Sequence, residues 1–348
     1  MSFAVPDFSP GEVRRAGETL RNPASTETAL HEAAAVLSRW RAVHLYPLNT
    51  FQATLRDRMR GIGTDRIVGQ RLKRAPSVIA KLRDRPTMRL QQMQDIAGLR
   101  AIVSSMGKLR RLEDLYLSGR LSHDHVAMDN YIAVPKNDGY RSIHLVYKYK
   151  NPQAPAYDGL HVELQLRTKL QHAWATAVET VDVFMAQAIK AGRATPEWGR
   201  FFTLASAAFA QLEGCEPVPG YENLPLPRII PRLRESERLL NVVTRLRGFR
   251  VATNFIMARE ANRSSFLHLV VLNTGTRYLT YNSFSESQQE EANAAYTEAE
   301  QRRHDGELLD PVLVAGGNLR QLKKSYPNYF ADTAEFVNKI ELLMRNVA

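Results

Sequence analysis

Apolar residues recur at helical spacing near the start of the chain. Leu30, Ala33, Leu37 and Trp40 fall three to four positions apart, so residues 26–60 read as helix, with Thr26 before Glu27 as its start. A different period governs Val162-Glu-Leu-Gln-Leu-Arg-Thr168, where Val162, Leu164 and Leu166 point to one side of a strand and Glu163, Gln165 and Arg167 to the other. After Gly98 an apolar, β-branched run to Val103 predicts a buried strand with Asp95 at its mouth. Pro76 followed by Ser77 marks a helix start. Residues 169–213 return to helix, with one stripe of Trp174, Ala177, Val181 and Met185 and another across Phe201–Phe209.

The texture changes at Gly214–Pro231, where Pro217, Pro219, Pro225, Pro227 and Pro231 predict a semi-rigid linker. Beyond it, Arg234–Arg250 reads as a basic helix with Leu239, Val242, Val243 and Leu246 inward. Phe266–Leu272 and Tyr278–Tyr281, separated by Asn273–Thr276, read as a hairpin. An acidic helix over 287–303, a buried strand at 312–314 and a last helix over 332–344 complete a small α/β domain. The expected organisation is a first domain over 1–213, a linker over 214–231 and a second domain over 232–348. The fold class is α/β (α+β), a mixed sheet flanked by helices with a smaller domain behind it.

A length of 348 residues gives room for two cores. Lys and Arg outnumber Asp and Glu by 47 to 36, a net charge of +11 that leans towards a partner rich in phosphates, such as RNA. One cysteine, Cys215, excludes an intramolecular disulfide and a multi-cysteine zinc site and suits a reducing compartment. No cationic leader opens the chain and no apolar run has membrane-spanning length, so the expectation is a cytoplasmic protein without a membrane partner. His123-Asp124-His125 is too isolated to read as a metal site, and His172 reads as a packed or surface helix residue.

The chemistry gathers in four segments. Arg71-Leu-Lys73-Arg74-Ala-Pro-Ser77-Val-Ile-Ala-Lys81 is a run of cations, which alone reads as a solvated helix face. Asp95 and Glu163 are carboxylates on separate strands, and such a pair holds Mg²⁺ if a triphosphate supplies further oxygens. Val134-Pro-Lys-Asn-Asp-Gly-Tyr140-Arg-Ser-Ile-His144 places a glycine hinge, a ring and cations on one loop.

Taken in order, Arg-x-Lys with a later Ser and Lys, Asp-Ile-x-Gly-x-Arg, Tyr-Ile-x-x-Pro-Lys-x-x-Gly-Tyr-x-Ser-Ile-His and Glu-x-Gln-x-Arg-Thr resemble the RelA/SpoT-type synthetase domain, over roughly residues 65–185. The resemblance implies a nucleotidyltransferase-like fold that moves the pyrophosphate of ATP onto a ribose 3′-hydroxyl. By position, Arg71 and Arg100 would sandwich the adenine, Lys73, Ser77 and Lys81 would complete the ATP site, and Lys136 would contact phosphate. Asp95 and Glu163 would hold Mg²⁺, and Glu163 would assist deprotonation of the acceptor. Tyr140 would stack on the acceptor base, supported by His144, Gln165 and Arg167. Two positions depart from the pattern: Asp138 stands where Asn usually precedes the glycine, adding negative charge near a phosphate site, and Asn130 replaces the usual Asp before Tyr131.

Near the C-terminus, Ser325-Tyr326-Pro-Asn-Tyr329-Phe330 carries two tyrosines three apart. Enzyme, linker and Tyr-x-x-Tyr together resemble the CapRel-type fused toxin–antitoxins. That resemblance implies a zinc-free antitoxin-like domain whose Tyr326 and Tyr329 plug the ATP pocket. It also implies a phage protein, possibly a capsid protein, as trigger, and tRNA 3′-CCA ends as acceptor, in anti-phage defence. The alternative is an alarmone synthetase with GDP or GTP as acceptor. A non-enzymatic RNA-binding module is a third reading, which the retained Asp95, Glu163 and Tyr140 oppose.

Overall fold

The computed structural model describes residues 3–63, 67–118, 121–185, 195–259, 267–273, 275–276, 278–315 and 329–345. Contacts divide the chain into two units: Met1–Tyr131 with Ser142–Thr168, and Ile132–Arg141 with Lys169–Ala348. The sequence places its boundary later, at the proline-rich stretch.

The first unit opens with α1 (Pro10–Arg21), which the sequence reading did not foresee. Ser9 caps it by accepting from the Glu12 N–H at 3.2 Å, and Pro10 occupies a first-turn position that needs no donor. Thr26 caps α2 (Glu27–Val43), accepting from the Ala29 N–H at 3.3 Å. The helix predicted over 26–60 is two helices, because the chain breaks at His44 before α3 (Leu45–Arg60). Val13, Leu20, Leu37, Val78, Leu82 and Leu90 form one core here, joining α1 and α2 to α4 (Ala75–Asp84).

Five strands make the sheet of this unit: β1 (Ile67–Leu72), β2 (Ala97–Val103), β3 (Asp124–Asn130), β4 (Ile143–Lys148) and β5 (His161–Thr168). Their order is β1-β2-β5-β4-β3, with β2 and β5 parallel and the other pairs antiparallel. Leu99, Ala101, Val162, Leu164 and Leu166 are buried as the alternation predicts, and α3 and α5 (Met106–Leu117) lie against this sheet. The His123 imidazole stacks on Phe51 with ring centroids 4.4 Å apart, a packing role.

In the second unit, α6 (Lys169–Met185), α7 (Pro196–Leu212), α8 (Leu226–Leu240) and the last helix (Tyr329–Arg345) share one core. Phe201, Phe202, Phe209 and Phe336 are fully buried within it, and Trp174, Ala177 and Val181 join them from α6. His172 is also buried. The end of the proline-rich stretch is helical: Pro227 sits in the first turn of α8 and Pro231 inside it. The basic helix expected over 234–250 is interrupted, since Asn241 adopts a left-handed φ of 51° between α8 and α9 (Val242–Arg259). The break resets the helical phase, so Leu239 is 68% exposed, contrary to expectation, while Val242, Val243 and Leu246 are buried. The expected hairpin forms as β6 (Leu267–Asn273) and β7 (Leu279–Phe284), and β8 (Leu309–Ala315) completes a sheet of order β7-β6-β8 beside α10 (Gln289–His304). Phe184 and Phe249 stack at 4.3 Å and, with Val270 and Val312, fix α6 and α9 to this sheet. Among the described residues no helix is long and apolar enough to cross a membrane.

Candidate functional site

Asp95 lies two residues before β2 and is bound by two lysines, Lys73 Nζ at 2.8 Å and Lys81 Nζ at 3.0 Å. Lys73 is itself fixed: its N–H donates to the Ile96 carbonyl at 2.8 Å, and the Arg41 Nε donates to the Lys73 carbonyl at 2.7 Å. Burial pushes the Asp95 carboxyl up, but the charges and hydrogen bonds of the two lysines outweigh it and hold the group below its ordinary value. Two cations against one acid leave this corner net positive, as an anionic ligand requires. Ser77 stands half-buried on the first turn of α4 nearby in sequence.

Strand register sets the rest. Directly paired residues share a face, so Arg71, opposite Gly98, and Arg100, opposite Gly69, project from the same side of the sheet. Across β2 the parallel ladder sets Gly98 beside Glu163 and Arg100 beside Gln165, and β4 adds His144 beside Gln165. One face therefore collects Arg71, Arg100, His144, Glu163, Gln165 and Arg167.

These side chains hold one another in a definite polarity. Arg167 Nη2 donates to Gln165 Oε1 at 3.0 Å, and its Nε donates to Ser142 Oγ at 3.4 Å. A guanidinium only donates, so the Gln165 oxygen must face it, and the Gln165 amide nitrogen then donates to Glu163 Oε2 at 2.8 Å. His144 Nδ1 lies 3.1 Å from Glu163 Oε1. Burial raises the Glu163 pKa, and the nearby charge of Asp95 adds to that; the hydrogen bond and charge of His144, with Gln165, reverse the balance and leave it below its ordinary value. Because both acids are depressed, their contribution to stability is complete above the unfolded carboxylate range and is lost as pH falls through the folded values. Arg167, expected to support the acceptor, is only 4% exposed.

Two carboxylates are a fitting hard-oxygen set for Mg²⁺, which readily takes substrate phosphate and water for its remaining positions. Among the described residues no cluster of three or more His, Cys, Asp and Glu side chains gathers, so Asp95 and Glu163 fit a metal that arrives with its nucleotide better than a closed protein cage.

Lys136 and Tyr140 belong to the other unit, on the loop between β3 and β4. Gly139 takes a φ of +87°, and a Cβ there would lie 2.9 Å from that of Ser206, so only glycine turns this corner. Asp138 Oδ1 accepts the Tyr140 N–H at 2.9 Å, giving the departure from Asn a turn-forming role. Lys136 Nζ sits 5.3 Å from the centre of the Tyr140 ring. Sequence reading missed the anchor of this loop: Arg141 donates to Glu213 at 2.8 Å and to Ser206 Oγ at 3.2 Å, and Gln171 also donates to Glu213, at 3.2 Å. Asn130 donates to Glu113 at 3.3 Å. Tyr326 lies outside the described residues; Tyr329 begins the last helix.

Residues 70–181 match the family model of a region found in RelA / SpoT proteins. Over 108 residues the chain is 34% identical to the GTP pyrophosphokinase YjbM of Bacillus subtilis, covering 30% of this chain and 51% of that one. An uncharacterized protein of Mycobacterium tuberculosis, Rv1366, is 31% identical over 182 residues, 50% of this chain and 59% of that one. The chain thus spans 51% to 59% of the length of these curated relatives. Among solved structures, the small alarmone synthetase 1 from Bacillus subtilis bound to its product pppGpp aligns with a TM-score of 0.42 at 27% identity, covering 49% of this chain and 91% of that one.

Proposed function

We propose that this chain transfers the pyrophosphoryl group of ATP to the 3′-hydroxyl of GDP or GTP. The observation that carries the reading is the sheet face holding Glu163 and two arginines, with Asp95 and its two lysines just before β2 and near enough for the Asp95 charge to act on Glu163, inside the segment that resembles RelA/SpoT proteins and a GTP pyrophosphokinase. In the reaction the acceptor hydroxyl oxygen attacks the β-phosphorus of ATP, the bond from that phosphorus to the bridging oxygen breaks, and AMP leaves. Such a transfer asks chiefly for alignment and for neutralisation of charge. Arg71 and Arg100 hold the adenine by stacking, Lys73 and Lys81 exchange Asp95 for phosphate oxygens, and Ser77 completes the ATP side. Asp95 and Glu163 would hold Mg²⁺, which supplies charge neutralisation at the triphosphate. Glu163 accepts the hydroxyl proton; with its pKa held low it is a weak base, so its larger share is orienting the hydroxyl and holding negative charge in place. His144 serves the acceptor, a task that the resemblance also implies for Lys136 and Tyr140.

Incubation of the full chain with ATP labelled at the γ-phosphate, together with GDP, GTP or deacylated tRNA, tests this. Label in the guanine nucleotide supports it; label in tRNA alone replaces it with the second reading, which the net charge of +11 favours; label in neither refutes both. The CapRel-like reading, in which domain 232–348 silences domain 1–213 through Tyr326 and Tyr329 until a phage protein binds, extends the second reading. Truncation after residue 225 is a poor test of it, because removing α8 and the last helix strips the core around Phe201, Phe202 and Phe209. Tyr326→Ala keeps α8 and the last helix in the chain, and growth arrest on its expression alone is the expected result; normal growth at equal expression counts against autoinhibition.

A further inference from the structure

Strand interiors seldom keep glycine without cause, since it weakens the strand and packs nothing. Gly69 and Gly98 sit inside β1 and β2, and the usual causes are absent. Neither has a positive φ. A Cβ at Gly98 would meet the Arg71 carbonyl oxygen at 3.6 Å and Arg71 Cγ at 3.8 Å, and one at Gly69 would meet only Arg100 Cβ at 3.9 Å, which are ordinary contacts. Neither backbone conformation nor internal packing calls for glycine here.

Their placement supplies a reason. Each is the direct cross-strand partner of an arginine, Gly69 of Arg100 and Gly98 of Arg71, and Gly98 also neighbours Glu163 on the far side. Arg71 and Arg100 are therefore diagonal neighbours on one face, about 7–8 Å apart at such positions. A flat ring between two planar groups needs twice a contact of about 3.5 Å, which is the same span. Between the arginines the floor of that span is made of the two positions without side chains.

Resting on the adenine placement proposed above, we infer that Gly69 and Gly98 are specificity-determining positions: their missing side chains form the floor of a slot that admits a purine ring between the two guanidiniums. A methyl group at Gly98 would lift the ring off the sheet and away from Glu163, so the donor nucleotide loses affinity while the chain folds as before. Gly98 should matter more than Gly69, because it lies between the slot and the acid.

Calorimetric titration of the full chain with α,β-methylene ATP and Mg²⁺ tests this in wild type, Gly98→Ala, Gly69→Ala and, as a control, Gly107→Ala, whose added Cβ meets nothing within 4 Å. The expected result is a Kd raised roughly tenfold or more by Gly98→Ala, the worth of one stacked cation–ring contact, with a smaller rise for Gly69→Ala. Melting temperatures should be equal to or above that of wild type, and Gly107→Ala should bind as wild type does. Equal affinity in all three variants overturns the slot while leaving the proposed function standing. Weaker binding accompanied by a matching loss of melting temperature overturns it too, by making the glycines structural. If wild type does not bind the analogue, the donor assignment itself falls, and the slot with it.

Discussion

Two networks in this chain are built from nearly the same residues. On the sheet of the first unit Arg167, Gln165, Glu163 and His144 link in a row; in the second unit Arg141, Gln171, Glu213 and Ser206 do the same among helices. Both contain an arginine that is nearly inaccessible, at 4% and 3% exposure. They differ in how they end. The second closes on itself, with Glu213 accepting from Arg141 and Gln171 and the Ser206 hydroxyl donating to the Gly139 carbonyl at 2.5 Å, so its effect is to pin a loop. The first stays open at its acid: Glu163, held between Gln165 and His144, lies one strand from a glycine that leaves room beside it. A buried Arg–Glu network by itself says nothing of chemistry; an acid held ready beside reserved space does.

The sharpest break of that comparison is Glu163→Gln. Gln keeps the shape but loses the charge that the proposed transfer uses, so the initial rate with ATP and GDP should fall on the order of a thousandfold or more. Melting temperature should fall modestly, because the charge that His144 and Gln165 favour is lost. A variant with near wild-type rate would place the chemistry elsewhere. The matching change in the closed network, Arg141→Met, should do the reverse. Glu213 would lose its guanidinium partner in a nearly inaccessible place, and breaking such a pair costs about 3–5 kcal/mol. Urea denaturation reads this directly, and a loss below about 1 kcal/mol would mean that the pair is no more than a surface contact.

These two networks also mark what the sequence could reveal. The alternation of residues 162–168 and the apolar run after Gly98 gave both strands and put Asp95 and Glu163 where they are found, because a period of two leaves little freedom once one face is buried. Lys73 and Lys81 were legible as cations; their grip on Asp95 was not, since it depends on β1 and α4 converging from either side of residue 74. Arg141 was hidden for a related reason. Its partner Glu213 lies 72 residues away, and no local pattern joins them. Gly69 was silent in the sequence, where no strand is read over 67–72, and became informative only when the register paired it with Arg100. Leu239 failed because a helical stripe was extended through Asn241, whose left-handed turn no periodicity announces.

A finer test of the open network is Arg167→Met. Without the guanidinium the Gln165 amide oxygen loses the donor that holds it, its bond to Glu163 is less firmly placed, and the rate should fall roughly ten- to a hundredfold, as is usual for groups that orient a reacting one. The pH profile separates this from simple damage. The Gln165 bond is one of the contacts that depress the Glu163 pKa, so losing it raises that pKa and moves the acid limb of the rate profile to higher pH. An unshifted limb would show that Arg167 does not act through Gln165.

The smallest expected effect concerns Asp138, where charge and turn geometry make opposite demands. The sequence comparison treats this acid as an added negative charge near phosphate, which should weaken an anionic acceptor. The structure shows its carboxylate accepting the Tyr140 N–H at 2.9 Å while Gly139 turns left-handed. Asn offers the same acceptor oxygen without the charge. Asp138→Asn should therefore leave the melting temperature unchanged and lower the KM for GDP by about two- to threefold, the scale of a partly solvated charge. Asp138→Ala removes the acceptor as well and should cost about 0.5–1.5 kcal/mol of stability. If Asn proves as destabilising as Ala, the charge itself supports the turn, and the loop is tied to the protein's electrostatics in the way the closed network is, through pairing and not through shape.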